Sequence, residues 1–456
     1  MEGLRYTPAI AATRSDPLSA VRIPTYVVIG GGAGGLELVT RLGETLGKSG
    51  QAKVILVDRV PIHIWKPHLH EVAAGSLDVG LHRLEYVAQA RWHHFEFQLG
   101  PLLSLDRAAQ TVRVGAVADS DQQPMLPERT LHYDKLIVAL GSQINTFNIP
   151  GAGEHAIGLD SVYDAERFRQ KLIAACMRAE LRASQAQPHE VSIAIIGAGA
   201  TGVELAAELR NTSKVLGAYG IHRMDPQRDV RITVIEGAER ILPGLSKRVS
   251  ASVGKLLGRL DVAIKVAERV TEVRADGVAT ASGLFIPADL IVWAAGLKAP
   301  DLLAQLDGLE TNRINQLVVD DHLKSSRDDH IYALGDCAQC VWRGHEGFIP
   351  PRAQSAHQQA SYLLKLFRNE LKGRSSAPFV YRDFGSLVSI GSSSAVGNLM
   401  GGLMGGNMFI DGLIAGMMYK SLYQMHQLAL HGILKTALDF IAHQLRRATE
   451  PHIKLH

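Results

Sequence analysis

Apolar residues in this chain fall into short, nearly continuous runs that glycine-rich turns and stretches with helical spacing separate. Two pairs of such runs stand out: Tyr26–Ile29 with Lys53–Val57, and Val191–Ile196 with Val230–Ile235. Short runs rich in Val and Ile predict strands that are buried on both faces, as in parallel sheets covered by helices. Because residues at helical spacing lie between the members of each pair, the chain is predicted to contain two βαβ units.

Each predicted βαβ unit carries the pattern G-x-G-x-x-G directly after its first strand. In such a turn the first glycine allows the bend, the second lets the backbone approach a pyrophosphate, and the third lets the helix pack on the strand. Steric needs alone also produce glycine-rich turns, but two copies in the same context favour two dinucleotide sites. The glycines are Gly30, Gly32 and Gly35 in the first copy and Gly197, Gly199 and Gly202 in the second.

An acidic residue ends the second strand of each unit. Asp58 ends the first of these strands and Glu236 ends the second. A carboxylate at this position binds ribose hydroxyls and repels a 2′-phosphate, so Glu236 favours NAD over NADP. Arg240 follows closely in the sequence, and because a guanidinium can bind a 2′-phosphate, the alternative nucleotide stays open.

Three further buried strands are predicted to end in glycine. They lie within Tyr133–Ser142, Ala288–Gly296 and Ile331–Ala338, and their terminal glycines are Gly141, Gly296 and Gly335. A strand that ends in glycine lets the backbone pass close to a bound nucleotide.

In this order the patterns resemble the two-dinucleotide-binding-domain flavoproteins over roughly residues 24 to 340. The resemblance implies an α/β fold with two Rossmann-like domains, in which an NADH-binding domain is inserted into an FAD-binding domain. It further implies that Asp58 binds the adenosine ribose of FAD, that Asp336 binds the ribityl chain or diphosphate, and that Gly335 lies close to the flavin. The expected bounds are 22–160 with 312–390 for the FAD domain, 161–311 for the NADH domain and 391–456 for a C-terminal membrane-anchoring region.

The three cysteines argue against the thiol chemistry of some members of this family. Thiol-disulfide relatives carry a C-x4-C pair soon after the first acid, whereas the corresponding segment here contains no cysteine. Cys176 alone is poorly placed for sulfide oxidation. Cys337 and Cys340 form one C-x-x-C without a second pair or clustered histidines, so they are predicted to be structural and no metal site is expected.

Two segments resemble one branch of the family, the proteobacterial type II NADH:quinone oxidoreductases. His68–Gly75 is similar to a helix start of these enzymes, and Arg352–Ala360 matches their A-Q-x-A-x-Q quinone-site motif. On a helix Gln354 and Gln358 share one face, and their amides can hydrogen-bond quinone carbonyls without placing a charge in an apolar tunnel. The alternative is an ordinary polar helix face with alanine filling.

The resemblance also implies a reaction. Glu204, directly after the second glycine pattern, would face the nicotinamide and the flavin, although it can equally be an acid that interacts with the helix dipole. Glu204, Gln354 and Gln358 are therefore the expected catalytic residues. NADH would reduce FAD by hydride transfer, and a quinone would take up the two electrons without ion pumping.

The C-terminal residues Ile433–Arg447 alternate apolar and polar positions at helical spacing. This pattern is typical of a helix that lies in a membrane interface, although such a helix can also pack on its own protein or on a dimer partner. We therefore expect a monotopic protein at the cytoplasmic face of the inner membrane, bound to lipid through this region, and a homodimer. Nowhere does the sequence offer about 18 uninterrupted apolar residues, so no membrane-spanning helix is predicted.

The composition and the net charge bear on which classes of function remain. The chain has 456 residues with 46% hydrophobic and 20% charged, which excludes wholesale disorder, and its net charge of +3 gives no support for nucleic acid as a partner. One competing function is a soluble NADH-dependent reductase of a small redox protein, but it leaves Gln354, Gln358 and the tail unexplained. Another is a membrane-attached NAD(H)-sensing flavoprotein, which would differ from an NADH:quinone oxidoreductase only by slow turnover.

Overall fold

The computed structural model describes residues 22–216, 223–390, 395–401 and 406–447. Its first sheet has five parallel strands with Thr25–Ile29 at the centre, between Lys135–Val138 and Lys53–Asp58. Ile331–Ala333 and Glu96–Leu99 form the two edges. Because all five strands run in the same direction, their carboxyl ends meet at one side of the sheet, where ligands of open α/β sheets bind.

The second sheet repeats this order with a different part of the chain. Val191–Ile196 lies at the centre, between Leu290–Trp293 and Val230–Ile235, and all pairings are again parallel. Its edges are Ile157–Gly158 and Val262–Lys265. Both predicted βαβ units are therefore present, and the α/β fold with two Rossmann-like sheets is confirmed.

A three-stranded antiparallel sheet follows Glu96–Leu99 of the first parallel sheet, and another follows Val262–Lys265 of the second. The first consists of Leu102–Asp106, Thr111–Val114 and Arg129–His132, and the second of Val270–Arg274, Gly277–Thr280 and Phe285–Pro287. Four short strand pairs complete this part of the fold: Ile62–His63 with Leu84–Glu85, Val117–Ala118 with Pro124–Leu126, Gln143–Ile144 with Leu297–Lys298, and Leu317–Val319 with Ala338–Cys340.

Helices cover both faces of the parallel sheets. Serine side chains begin two of them: Ser161 Oγ accepts from the Asp164 amide, and Ser246 Oγ accepts from the Val249 amide, which satisfies donors that lack a partner at a helix start. The helices are Ala33–Leu42, Leu69–Ala74, Val79–His82, Tyr86–Trp92, Ala152–His155, Val162–Ser184, Ala200–Leu216, Pro226–Asp229, Lys247–Arg259, Ala353–Glu370 and Gly412–Arg447, with tighter turns at Lys66–His68, Asp301–Gln305 and Gly335–Cys337 and a wider one at Gly43–Gly47.

The C-terminal region contains an antiparallel sheet and a long helix. The sheet pairs Ser386–Ser389 with Ala395–Gly401, which in turn pairs with Gly406–Asp411. The helix Gly412–Arg447 is interrupted at Gly432, whose φ of 72° and ψ of 175° are not helical. Among the described residues, no helix is both long and apolar enough to cross a membrane.

Strand pairing bears on where the domains divide. Ile157–Gly158 lies before the expected boundary at 160 but pairs with Leu290–Trp293 of the second sheet. Ser386–Ser389 lies before the expected boundary at 390 but pairs with the C-terminal strand Ala395–Gly401. The domain bounds remain predictions, and these pairings favour moving each of the two boundaries a few residues towards the N-terminus.

Candidate active site

One continuous cavity of about 2960 Å³ opens at the carboxyl ends of both parallel sheets. Its wall includes Gly32 from the first glycine turn and Gly199 from the second. Gln354, near the start of helix Ala353–Glu370, and His426, on the C-terminal helix, complete the wall. Residues that are far apart in the sequence thus surround a single space.

The first glycine turn has the shape that a pyrophosphate requires. Gly30 has a φ of 102°, and a Cβ there would lie 2.5 Å from the carbonyl oxygen of Ala139. A Cβ at Gly35 would collide with the carbonyl oxygen of Gly30, whereas a Cβ at Gly32 would meet nothing within 4 Å. The outer glycines are therefore needed by the protein itself, and the middle one borders open space at the start of helix Ala33–Leu42, where an anion is favoured.

The second glycine turn repeats this geometry. Gly197 also has a φ of 102°, and a Cβ there would lie 2.7 Å from Ala295 Cα. A Cβ at Gly202 would collide with the Gly197 carbonyl oxygen, and a Cβ at Gly199 would again meet nothing within 4 Å. Both turns thus fit a dinucleotide phosphate.

The acids that end the second strands hold the glycine turns through backbone amides. Asp58 Oδ2 accepts from the amide of Gly31 at 2.6 Å, and burial raises the pKa of this carboxyl. Glu236 Oε2 accepts from the amide of Ala198 at 2.8 Å. Asp58 lines the cavity, and the half-buried Glu236 also accepts from the amide of Ala238 at 2.9 Å through Oε1.

Arg240, whose guanidinium could bind the 2′-phosphate of NADP, donates to the backbone. Its guanidinium donates to the carbonyl oxygens of Leu242 at 3.0 Å and Pro243 at 2.6 Å. These bonds use donors that a 2′-phosphate would need, so the contacts support the preference for NAD.

The strand-end glycines share a left-handed backbone conformation and border the cavity. Gly141 and Gly296 both have a φ of 67°, and Gly335 has a φ of 73°. A Cβ at Gly141 would meet nothing within 4 Å, whereas one at Gly296 would collide with the ring of Phe147. Gly141, Gly296 and Gly335 all line the cavity.

Asp336 and Gln359 shape the wall next to Gly335. Asp336 Oδ2 accepts from the Ser142 hydroxyl at 2.8 Å, and burial raises the pKa of Asp336. The buried Gln359 accepts from the Gly335 amide at 2.7 Å through Oε1. Gln359 was not among the predicted site residues, although it follows Gln358 directly.

The amides of Gln354 and Gln358 contact the backbone of the segment 382–385. Gln354 Nε2 donates to the Gly385 carbonyl oxygen at 2.9 Å, and its Oε1 accepts from the Phe384 amide at 3.2 Å. Gln358 exchanges two hydrogen bonds with the Arg382 backbone, at 2.8 and 3.0 Å. Both glutamines line the cavity as the shared helix face predicts, but their amides also hold its rim in place.

Glu204 is buried between two other elements. Its Oε1 accepts from the Ser389 amide at 3.0 Å, and its Oε2 lies 3.7 Å from Nδ1 of the buried His70. Glu204 also lines the cavity. An acid that only interacts with the helix dipole does not need such contacts, so its position is compatible with a role at the reacting groups.

Two histidines cover the first glycine turn, a contact that the sequence did not indicate. The Gly31 carbonyl oxygen accepts from the Tyr86 hydroxyl at 2.7 Å and lies 2.9 Å from His63 Nδ1. Nδ1 must therefore carry the proton of His63, and its Nε2 accepts from His426 Nε2 at 3.2 Å. Burial lowers the pKa of His63 to about 4 and that of His426 to about 2, so both rings are neutral at pH 7.

A buried carboxylate on the first helix is a further feature that sequence reasoning missed. Glu37 is 1% exposed, and its oxygens contact Arg41 Nη1 at 2.9 Å and His357 Nδ1 at 2.6 Å. The hydrogen bond to Glu37 raises the pKa of His357. An acid among the apolar residues of a helix that follows a glycine turn is the sequence signal for it.

The three cysteines lie in the interior of the fold. Cys176, Cys337 and Cys340 are buried and form no disulfide. Burial raises the pKa of Cys176 and Cys337 to about 11 and that of Cys340 to about 12, which keeps the thiols protonated and unreactive. Within the described ranges, no three His, Cys, Asp or Glu side chains form a group that could hold a metal ion.

Comparisons with known proteins agree with this arrangement. Residues 24–360 match the pyridine nucleotide-disulphide oxidoreductase family. A type II NADH:quinone oxidoreductase of Haemophilus influenzae is 39% identical over 442 residues, which cover 94% of this chain and 99% of that protein. A type II NADH:quinone oxidoreductase of Staphylococcus aureus is 29% identical over 378 residues, 81% of this chain and 88% of that protein.

Solved structures show the same fold. NDH2 from Plasmodium falciparum, solved in complex with NADH, has a TM-score of 0.77 at 19% identity and covers 95% of this chain and 100% of that chain. The sulfide:quinone oxidoreductase from Aquifex aeolicus has a TM-score of 0.69 at 16% identity and covers 94% of this chain and 96% of that chain. At these identities the likeness establishes the fold alone.

Proposed function

The chain belongs to the family of type II NADH:quinone oxidoreductases, and on this premise we propose that it oxidises NADH and passes two electrons through FAD to a quinone. The observation that carries this proposal is the single cavity that joins Gly32, Gly199 and Gln354. NADH and the oxidant must each reach the flavin for such a reaction, and one continuous cavity gives both of them access to it.

The first glycine turn is the proposed FAD site. Bound FAD would accept a hydride and release electrons, which is chemistry that no side chain of the protein supplies. Gly30, Gly32 and Gly35 shape the space for its diphosphate, and Asp58 holds the turn while bordering the cavity. Asp336 and Gly335 line the same cavity, and the positive φ of Gly335 favours a residue without a side chain there.

The second glycine turn is the proposed NADH site. Gly197, Gly199 and Gly202 provide the same shape, and Glu236 supplies the negative charge that disfavours a 2′-phosphate. Glu204 lies one helical turn beyond this loop on the cavity wall. We place it beside the nicotinamide, where its fixed carboxylate helps to align the reacting rings.

Gln354 and Gln358 are the proposed quinone ligands. Since both amides already bond the backbone of the segment 382–385, a quinone oxygen would have to replace one of these bonds. Such an exchange couples quinone binding to a shift of the rim, including Phe384, whose side chain is exposed. The same contacts explain why uncharged amides occupy these positions, because they serve either partner without burying a charge.

The C-terminal helix is the proposed membrane attachment of a peripheral protein. After Gly432 its apolar residues are strongly exposed, with Ile433 at 80% and Leu434 at 74%. Leu438 and Ile441 continue this surface, and Lys435 lies over the ring of Trp92 at 4.7 Å. Exposed apolar residues beside cationic and aromatic groups fit an interfacial helix at the cytoplasmic face of the membrane, and the same surface is available to a second copy in a homodimer. The predicted interfacial helix also includes His443, Leu445, Arg446 and Arg447, whose side chains lie outside those described.

NADH oxidation by the flavin-loaded protein with different electron acceptors tests the proposal. We expect fast turnover with a short-chain quinone, slow turnover with a ferredoxin or rubredoxin, and slower turnover with NADPH than with NADH. Flavin that NADH reduces but quinone does not reoxidise would contradict the proposal and favour the reductase or sensor alternatives. Co-sedimentation with anionic lipid vesicles, compared with a chain that ends before Gly432, tests the attachment separately.

A further inference from the structure

The helix Tyr86–Trp92 has one buried face and one exposed face. Tyr86, Gln89 and Ala90 are buried, and the Tyr86 hydroxyl donates to the Gly31 carbonyl oxygen of the first glycine turn at 2.7 Å. Helical spacing directs the other side chains outwards, namely Val87, Ala88, Arg91 and Trp92. Val87 is 64% exposed and Trp92 is 54% exposed. Two large apolar side chains thus lie on the outside of a helix whose inner side supports the proposed FAD site.

This exposed face lies beside the exposed apolar residues of the C-terminal helix. Lys435 Nζ lies 4.7 Å from the centre of the Trp92 ring. The ring of His82, in the short helix before Tyr86, lies 6.4 Å from that of Tyr423. Leu434, next to Lys435 in the sequence, is 74% exposed. Because the two helices are in contact at two separate points, their exposed apolar side chains lie side by side.

We propose that the helix Tyr86–Trp92 is a second lipid-contacting element, which brings the FAD-binding part of the chain itself against an anionic membrane surface. This inference rests on the proposed function, in which the C-terminal helix alone is the attachment, and adds an element from a different part of the chain. Trp92 lies at the level of the lipid headgroups, where amphipathic aromatic rings are favoured, and Val87 enters the boundary of the acyl chains. Since Tyr86 holds the first glycine turn from the opposite face, the flavin lies on the membrane side of the protein.

The charges around the exposed face suit anionic lipid headgroups. Residues 81–94 contain Arg83 and Arg91 against a single acid, Glu85. Arg83 Nη2 lies 3.6 Å from Glu85 Oε1, so Arg91 gives this segment a net positive charge, and Lys435 adds another. Each basic residue near an anionic membrane strengthens binding about fivefold. A second copy of the chain on the same face would bring these like charges close together, which disfavours it as the occupant.

Tryptophan fluorescence of the full, flavin-loaded protein measures the contact directly. The probe is a vesicle of phosphatidylglycerol and phosphatidylcholine whose acyl chains carry bromine, which quenches a tryptophan ring that touches it. Trp92 is the most exposed of the four tryptophans, since Trp293 is fully buried and Trp65 and Trp342 are partly buried. We expect quenching in wild type and the loss of most of it in Trp92→Phe. Equal quenching in the two proteins would overturn the inference.

Val87→Asp tests how much the helix contributes to lipid binding. The dissociation constant for bromine-free vesicles of the same lipids is expected to rise about tenfold, because an aspartate loses the apolar burial and meets anionic headgroups. Turnover with a short-chain quinone in the absence of vesicles is expected to stay at the wild-type rate. Leu181→Asp is the matched control, because Leu181 is 60% exposed but lies on another helix, Val162–Ser184, and this variant is expected to bind vesicles as wild type does.

The possible failures are distinguishable. Val87→Asp with wild-type vesicle affinity would overturn the inference and leave the C-terminal helix as the attachment. A lower molecular mass of Val87→Asp in analytical ultracentrifugation, with vesicle affinity unchanged, would also overturn it and assign the face to a second copy. Wild-type protein that does not bind vesicles would overturn the proposed attachment as a whole, and flavin that quinone does not reoxidise would overturn the proposed reaction.

Discussion

The two glycine turns have nearly the same backbone but different surroundings. Gly30 and Gly197 share a φ of 102°, and in both turns an acid accepts from the second amide, at 2.6 Å for Asp58 and 2.8 Å for Glu236. The residue that donates this amide is Gly31 in the first turn and Ala198 in the second. The shared geometry therefore serves the phosphate, and the differences lie in what covers each turn.

The side chains that pack over the first glycine turn distinguish it from the second. A Cβ at Gly31 would collide with the ring of Tyr86, and the Gly31 carbonyl oxygen is held by Tyr86 and by His63, which contacts His426 of the C-terminal helix. At the second turn the corresponding carbonyl oxygen, that of Ala198, accepts from the Leu242 amide at 2.8 Å, so a backbone segment covers it in place of the tyrosine and histidine side chains. Side-chain cover that joins the first turn to the C-terminal helix suits a cofactor that stays bound between turnovers.

The largest difference is expected between Gly30→Ala and Gly197→Ala. Each adds a Cβ at a positive φ and against the backbone, which costs about 2 to 3 kcal/mol locally. Gly30→Ala is expected to yield protein without flavin, while Gly197→Ala keeps its flavin but is no longer reduced by NADH. The flavin-to-protein absorbance ratio and the rate of flavin reduction measure the two effects. Gly258→Ala, in a helix with nothing near its Cβ, is the control.

Low pH is expected to destabilise the packing of His63 and His426 over the first glycine turn. The folded-state pKa values of about 4 for His63 and about 2 for His426 lie below the ordinary value of 6.5. Their contribution to stability is therefore complete above pH 6.5 and is lost as the pH falls. Between pH 6.5 and pH 5 each ring costs about 2 kcal/mol, because the unfolded chain binds the proton more readily. Thermal unfolding and flavin release measured across this range should show the loss, and His426→Phe should reduce it. An identical pH profile in His426→Phe would contradict the account of the cover.

Glu236→Gln tests whether the second glycine turn determines the preference for NADH over NADPH. Without the negative charge, a 2′-phosphate is no longer repelled, while the amide of Ala198 keeps a partner. We expect the ratio of kcat/KM for NADPH to that for NADH to rise about tenfold, with flavin content unchanged. Asp58→Asn is the matched change in the first turn, and it should alter flavin retention but not nucleotide preference. A change in preference caused by Asp58→Asn would reverse the assignment of the two sites.

The smallest effect is expected from Tyr86→Phe. It removes one of the two hydrogen bonds to the Gly31 carbonyl oxygen and leaves the bond from His63. A neutral hydrogen bond contributes about 1 kcal/mol, so the dissociation constant of the flavin should rise about fivefold. Tyr163→Phe, at a position where the side chain is 73% exposed, should leave it unchanged. Equal flavin affinity in wild type and Tyr86→Phe would show that this hydrogen bond does not contribute to cofactor retention.

The sequence predicted those parts of the molecule whose geometry depends only on residues close together in the chain. The strands, the glycine turns and the acids that end the second strands follow from short-range sterics, and the structure contains all of them. The contact between His63 and His426 joins residues 363 positions apart, so only tertiary packing determines it. The backbone partners of Gln354 likewise depend on where the segment 382–385 returns to the helix.

The central claim is that one flavin in one cavity receives electrons from NADH and gives them to a quinone. An anaerobic titration of the purified, flavin-loaded protein tests it directly. One equivalent of NADH should bleach the flavin absorbance completely, and one equivalent of short-chain quinone should restore it, with one quinol formed for each NADH consumed. Flavin that remains bleached in the presence of excess quinone would contradict the claim.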